Sequence, residues 1–257
     1  MTTETTPFAL RGGRAGSLAR ITSLVRWIAS GCIFLVFAIA AIVVGWFVPA
    51  RRMFPFAQWI FRCMLRVSGV RVVPEWRTRL DHDRGYVYIF NHTSFLDHFV
   101  LASHVPGFLL GVEKIESRRI PVYGFVTRWW GNIAIDRGNR EEAIRYISEA
   151  QNVLAKGVSI CIAPEGTRSR DGRVGPFKKG AFHMAVEMAA PIAPVSIVGM
   201  TDVNPDGRFQ LRRGTVRLVF HPVVETIGIA DLDALANEVR DRICSAGLSR
   251  READEAV

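Results

Sequence analysis

A histidine and an aspartate stand five positions apart in segment 91–97 (NHTSFLD), directly after the apolar run 86–90. The apolar run predicts a buried strand. On one regular helix His92 and Asp97 would point about 140° apart, so they can meet only if His92 lies in a turn and Asp97 in the first helical turn. An imidazole held by a carboxylate in this way is suited to general-base catalysis. The alternative is a loop histidine followed by an acidic residue that stabilises a helix N-terminus.

Three later segments add polar residues at the ends of apolar runs. Segment 131–137 (GNIAIDR) is an apolar strand that ends in an acid–base pair. Segment 163–169 (APEGTRS) follows a second buried run at 158–162, and segment 193–198 (APVSIV) is a third strand opened by a proline.

In this order and spacing the four segments resemble the glycerolipid acyltransferase family, and specifically the 1-acylglycerol-3-phosphate acyltransferases. The family pattern is N-H-x4-D, then G-x-I-x-I-D-R, then P-E-G-T-R-S, then a strand containing P-V, and the match covers roughly residues 70–221. The resemblance implies transfer of a fatty acyl group from acyl-CoA or acyl-carrier protein to the free hydroxyl of 1-acylglycerol 3-phosphate, which gives phosphatidic acid. It implies no cofactor beyond this acyl thioester co-substrate.

The motif positions suggest a role for each candidate residue. His92 is the expected general base and Asp97 the carboxylate that orients it. A nucleophile elbow of the form G-x-S-x-G is absent, so direct attack by the acceptor hydroxyl is favoured over an acyl-enzyme. The expected substrate-binding residues are Lys114, Arg137, Glu165, Gly166, Thr167 and Arg168.

Segment 165–168 has the composition of an anion site. Gly166 lets backbone amides approach an anion closely, and Arg168 adds a planar bidentate donor. Glu165 is expected to orient an arginine or to bind an acceptor hydroxyl, and not to contact the phosphate. The four cysteines are far apart in the sequence and no metal site is expected.

A net charge of +9 and a pI near 10.0 point to nucleic acid or an anionic membrane surface as a partner. No zinc-finger spacing, aromatic RNA-binding pattern or compact basic helix is present, which favours the membrane. Residues 28–48 are 21 residues without a charge, long enough for a membrane helix and longer than the apolar core of a cleavable signal peptide.

Arginines stand on both sides of the apolar run, which a single crossing cannot satisfy under the positive-inside tendency. We therefore expect the chain to turn back at Pro49 and the aromatic, basic segment 53–67 to lie in the membrane interface. An ordinary core helix is the alternative for segment 53–67. The expected location is the inner, cytoplasmic membrane, with the catalytic domain facing the cytoplasm.

Beyond residue 68 the pattern alternates between strands and helices, which predicts a layered α/β domain with a mixed sheet flanked by helices. Strands are predicted at 69–74, 85–90, 107–112, 131–135, 157–163, 192–199 and 214–220, and helices at 95–104, 121–130, 139–156, 178–190 and 231–247. The predicted organisation is a disordered basic N-terminus (1–27), a helical membrane anchor (28–68), an acyltransferase domain (69–248) and a frayed tail (249–257).

Three other functions fit parts of this pattern. The same chemistry could act on another lysolipid, such as lyso-ornithine lipid, or on glycerol 3-phosphate. A non-catalytic, membrane-bound lipid-binding protein would keep the fold, although both His92 and Asp97 are present. A secreted α/β hydrolase is disfavoured because the nucleophile elbow is missing.

Overall fold

The computed structural model describes residues 14–135, 148–205 and 209–251, which contain one seven-stranded sheet with helices packed against it. The strands are β1 (Val70–Trp76), β2 (Val87–Phe90), β3 (Leu109–Lys114), β4 (Ile133–Ile135), β5 (Ser159–Ile162), β6 (Ile192–Val198) and β7 (Gly214–Phe220). Their order is β1-β7-β6-β2-β5-β3-β4, and only the β6–β7 pair is antiparallel. The predicted mixed sheet is confirmed, and each strand lies within two residues of its predicted bounds.

The helices are α1 (Arg14–Val44), α2 (Ala50–Val67), α3 (Asp97–Ala102), α4 (Tyr123–Trp130), α5 (described over 148–154), α6 (Gly180–Glu187), α7 (Met200–Val203) and α8 (Leu232–Cys244). Four predicted helices are confirmed within three residues of their ends, whereas the first part of the predicted helix 139–156 falls outside the described residues. The 3-10 helix Ile115–Arg119 and α7 were not predicted, because elements this short carry too little periodicity to detect.

The centre of the sheet brings the functional segments to one edge. β2 is fully buried and lies between β5 and β6, both parallel to it. After Phe90 the side chain of Asn91 continues the pairing with β6: its amide donates to the Ile197 carbonyl at 3.0 Å, and its oxygen accepts from the Ile197 N–H at 2.8 Å. The carboxyl ends of parallel strands meet at one sheet edge, so the turns after β2, β3 and β5 are neighbours.

Helices α1 and α2 form an antiparallel hairpin. The hydroxyls of Ser30 and Ser68 lie 2.7 Å apart near its open end, and the rings of Phe37 and Phe61 pack edge to face at 5.8 Å further along. The chain turns back just before α2, which Pro49 precedes, as predicted. The hairpin is also packed against the α/β domain, because its side chains contact α3 and α4.

The predicted disordered N-terminus is wrong for residues 14–27, which form the first turns of α1. Ser23 and Arg26 contact the carbonyl of Leu211, the guanidinium at 2.8 Å, and Trp27 donates to the carbonyl of Phe209 at 2.7 Å. These long-range contacts stabilise a segment that its polar composition alone would leave unfolded.

The predicted frayed tail is wrong for residues 249–251. The Val174 N–H donates to the Ser249 carbonyl at 2.8 Å, the Arg251 N–H donates to the Val174 carbonyl at 2.9 Å, and Arg240 donates to the Arg251 carbonyl. The tail therefore supports the loop that follows β5, a tertiary contact that charge content could not reveal.

Candidate active site

His92 and Asp97 lie together where β2 ends. The Nδ1 of His92 is 2.9 Å from Asp97 Oδ2, and the same oxygen accepts the N–H groups of Thr93 at 2.6 Å and Ser94 at 2.7 Å. Asp97 is the first residue of α3 and is fully buried. Asp97 Oδ2 already accepts two backbone N–H groups, so in the neutral imidazole Nδ1 is the nitrogen that carries the proton and Nε2 is the one with the free lone pair. The geometry expected from the five-residue spacing is therefore present.

The backbone of His92 is fixed from two directions. Its N–H donates to Glu165 Oε1 at 2.9 Å, and its carbonyl accepts from the Ser169 N–H at 2.7 Å. The second oxygen of Glu165 accepts the Gly175 N–H at 3.0 Å. Burial raises the pKa of Glu165, while the two backbone donors act in the opposite direction.

The described hydrogen bonds of Glu165 all go to the backbone. Both of its carboxylate oxygens bind backbone N–H groups, and the residue is buried. Through the first of these bonds Glu165 helps to position the backbone of His92. The reason is local: the turns at His92 and Gly175 leave N–H groups that the sheet does not pair, and buried donors need an acceptor.

The rest of the segment after β5 forms an open turn. Gly166 has φ +71°, a backbone conformation that favours glycine, and the flexible end of the Lys178 side chain lies beside it. Thr167 and Arg168 are exposed, and Arg168 lines the same cavity as His92. Arg168 thus lies beside His92, whereas Glu165, Gly166 and Thr167 do not line this cavity.

Two further candidates are less defined. Lys114 is the last residue of β3, at the carboxyl edge of the sheet. Arg137 lies outside the described residues, two positions beyond the end of β4.

A cavity of about 510 Å³ opens beside His92 and runs between the sheet and the helical hairpin. Its wall is largely aromatic: Phe34 and Phe37 from α1, Phe54 and Phe61 from α2, Phe99 from α3 and Trp130 from α4. A space of this size with polar groups at one end fits an apolar chain that carries a reactive polar head.

Sequence reasoning did not assign His98 and Glu113, which are among the polar residues of this cavity, to the site. His98 has its ring 5.2 Å from that of His92, and burial and the neighbouring His92 lower its pKa to about 3. Glu113 has a side chain that is only 7% exposed, and its Oε1 lies 3.8 Å from Nε of Arg118. Only their sequence positions could have indicated these residues, since His98 directly follows Asp97 and Glu113 directly precedes Lys114.

Comparison with known proteins agrees with this arrangement. The acyltransferase family model matches residues 64–198, just over half of the chain. The fold is similar to the crystal structure of PlsC, the 1-acyl-sn-glycerophosphate (LPA) acyltransferase of Thermotoga maritima, with a TM-score of 0.76 and 23% identity over 90% of this chain and 96% of that one.

Curated relatives are similar over a shorter stretch. The chloroplastic 1-acyl-sn-glycerol-3-phosphate acyltransferase BAT2 of Brassica napus is 33% identical over 187 residues, 70% of this chain and 53% of that protein. The 1-acyl-sn-glycerol-3-phosphate acyltransferase alpha of Ovis aries is 35% identical over 177 residues, 67% of this chain and 61% of that protein. The chain thus spans between about half and three-fifths of the length of these relatives. On the family match, the shared fold and the four ordered motifs, this chain belongs to the acyltransferase family.

Proposed function

We propose that this protein transfers a fatty acyl group from a thioester donor, acyl-CoA or acyl-carrier protein, to the free hydroxyl of 1-acylglycerol 3-phosphate, with phosphatidic acid as the product. The observation that carries the proposal is the His92–Asp97 pair at the polar end of an aromatic cavity that Arg168 also lines. The relatives named for this activity support the choice of acceptor.

In the proposed mechanism the unprotonated Nε2 of His92 removes the proton of the acceptor hydroxyl. The acceptor oxygen attacks the thioester carbonyl and forms a tetrahedral intermediate. The intermediate collapses, the C–S bond breaks, and the thiolate takes the proton from the imidazolium, so that an ester and a free thiol are produced. Asp97 stabilises the imidazolium and keeps its tautomer fixed throughout.

The substrates are placed by the two ends of the cavity. Arg168 is the group that would hold the acceptor phosphate, because a guanidinium pairs with phosphate through two hydrogen bonds. The aromatic wall would hold an acyl chain, since it offers a large apolar surface close to His92.

The membrane association we propose rests on the hairpin. The stretch Ser17–Val44 is long and apolar enough to cross a bilayer, and 22% of its most apolar window is buried against the protein. Trp46 and Phe47 at the turn are 83% and 86% exposed, so the closed end of the hairpin can insert into one leaflet. Because Phe37 and Phe61 belong both to this hairpin and to the cavity wall, a lysolipid could reach His92 without leaving the membrane fully.

A labelled-acyl transfer assay tests the proposal. The purified full chain is given acyl-CoA or acyl-carrier protein as donor, with 1-acylglycerol 3-phosphate, lyso-ornithine lipid or glycerol 3-phosphate as acceptor. We expect labelled phosphatidic acid as the main product. Faster acylation of another acceptor would replace the substrate assignment, and no transfer to any acceptor would favour a non-catalytic lipid-binding protein.

A further inference from the structure

A second cavity, of about 840 Å³, is formed by the C-terminal half of α2, the start of β1 and the segment that leads into β7. It shares no lining residue with the cavity at His92. No aspartate or glutamate lines it. Its charged and titratable lining residues are Arg26, Arg62, Arg66, Arg71, Arg213 and His104.

The positive charge of this cavity lacks the counter-charges found elsewhere in the fold. On the far part of β1, Glu75 pairs with both Arg77 and Arg217. In the described part of the chain no ion pair involves the three exposed arginines of the cavity, Arg66, Arg71 and Arg213. A concave surface with one sign of charge focuses its field and attracts an anion.

The remaining basic residues are held in place by the fold. Arg26 donates to the Leu211 carbonyl at 2.8 Å, and Arg62 donates to the Ser103 carbonyl at 3.1 Å. Each guanidinium has five N–H donors, so both keep further donors for a ligand. Burial lowers the pKa of His104, and the charge of the neighbouring Arg62 lowers it further.

We propose that this cavity is a non-catalytic binding site for the phosphate group of an anionic membrane phospholipid. Guanidinium groups match phosphate oxygens in geometry and charge. The cavity lies beside the hairpin that carries the exposed apolar surface: Val25 and Ile28 next to Arg26 are 58% and 56% exposed.

Exposed apolar residues that line the cavity favour a lipid over a free phosphate ion as its ligand. Val67 and Val73 line the cavity and are 40% and 38% exposed. A lipid can therefore cover these apolar groups with its acyl chains while its phosphate contacts the arginines. The site would keep anionic lipid beside the enzyme independently of catalysis, so it does not rest on the proposed acyl transfer.

Binding is measured from the ligand-induced rise in thermal stability of the full chain in neutral detergent micelles at constant ionic strength. The probes are phosphatidylglycerol, phosphatidylcholine and inorganic phosphate. The test variant replaces the three exposed arginines (Arg66→Gln, Arg71→Gln and Arg213→Gln). The control variant removes the same charge elsewhere (Arg84→Gln, Arg217→Gln and Arg242→Gln).

We expect phosphatidylglycerol to stabilise the wild type and the control variant, and to bind the test variant at least about tenfold more weakly, since each charge-assisted hydrogen bond contributes that much or more. If the triple variant folds poorly, the single variants Arg71→Gln and Arg213→Gln are measured in its place. Their side chains are exposed and make no described hydrogen bond, and each variant should also bind phosphatidylglycerol more weakly than the wild type. Equal weakening in the control variant, equal binding of phosphatidylcholine, or equal stabilisation by inorganic phosphate would each overturn the proposal.

Discussion

Asp97 Oδ2 accepts three hydrogen bonds, from the imidazole of His92 and from the N–H groups of Thr93 and Ser94. The carboxylate thus fixes the imidazole and the turn that carries it at the same time. Glu165 fixes the same turn from the other side through the His92 N–H. At the residue scale, two buried carboxylates therefore determine where His92 Nε2 points.

Arg168 is predicted to act on the acceptor and not on the donor. Arg168→Ala should raise the KM for the phosphate-bearing acceptor about tenfold or more and leave the KM for the thioester nearly unchanged, because a charge-assisted bidentate contact is lost. The KM of Arg168→Lys for this acceptor should lie between that of the wild type and that of Arg168→Ala, since lysine keeps the charge but cannot form the bidentate contact. Steady-state kinetics with each substrate varied would measure this, with Arg170→Ala as the control. Equal changes in both KM values would mean that Arg168 has a structural role.

His98 predicts how stability depends on pH. Its folded pKa lies near 3, below the usual histidine value, so between these values the unfolded chain binds a proton that the folded chain does not. Stability should therefore fall as pH decreases below about 6.5, by up to about 1.4 kcal/mol per pH unit from this residue. Denaturant unfolding of His98→Gln against the wild type, at pH 7 and at pH 5, measures the difference. His221, whose pKa is also lowered, to about 4, remains in both proteins. If the free energy of unfolding of His98→Gln changed between pH 7 and pH 5 as much as that of the wild type, the lowered pKa of His98 would be contradicted.

At the scale of the elements, the sequence predicts those features that depend on residues close together in the chain. The strands β2, β5 and β6 are short apolar runs with polar ends, and that pattern predicts their bounds to within two residues. The meeting of His92 with Asp97 was also predictable, because it depends on one turn and the first turn of α3.

The cavity was not predictable, because its wall comes from distant parts of the chain. Phe37 in α1 packs on Trp130 in α4, with ring centroids 6.1 Å apart. In the sequence, Phe37 is one apolar residue in a run that indicates only a membrane helix. The contact of Val174 with Ser249 and Arg251 is non-local for the same reason.

The cavity wall makes a prediction about acyl chains. Ala102, at the end of α3, lines the cavity and is partly buried, so Ala102→Phe should fill part of the 510 Å³. We expect a shift toward shorter acyl donors, because a longer chain would have to displace packed aromatic rings. Relative rates across a series of acyl-CoA lengths measure this, and the shortest donor is the internal control. An unchanged chain-length profile would show that the acyl chain lies elsewhere.

At the scale of the whole molecule, the hairpin should place both chain ends on one side of the membrane. Arginines flank the apolar run on both sides, and the contact of Ser30 with Ser68 holds the middle of α1 beside the C-terminal end of α2. In sealed vesicles, a cysteine introduced at Thr3 in a variant without native cysteines should react only from the face that carries the catalytic domain. Labelling of this cysteine from the opposite face alone would demonstrate a true crossing.

The central claim is that His92 is the general base of an acyl transfer. It is tested most directly by the turnover of purified His92→Ala with 1-acylglycerol 3-phosphate and a labelled thioester, next to the wild type and to His183→Ala, an exposed histidine of α6. We expect turnover to fall by about 10²–10⁴-fold in His92→Ala alone, with unchanged thermal unfolding and vesicle binding. A folded His92→Ala protein that keeps near-normal turnover would contradict the account.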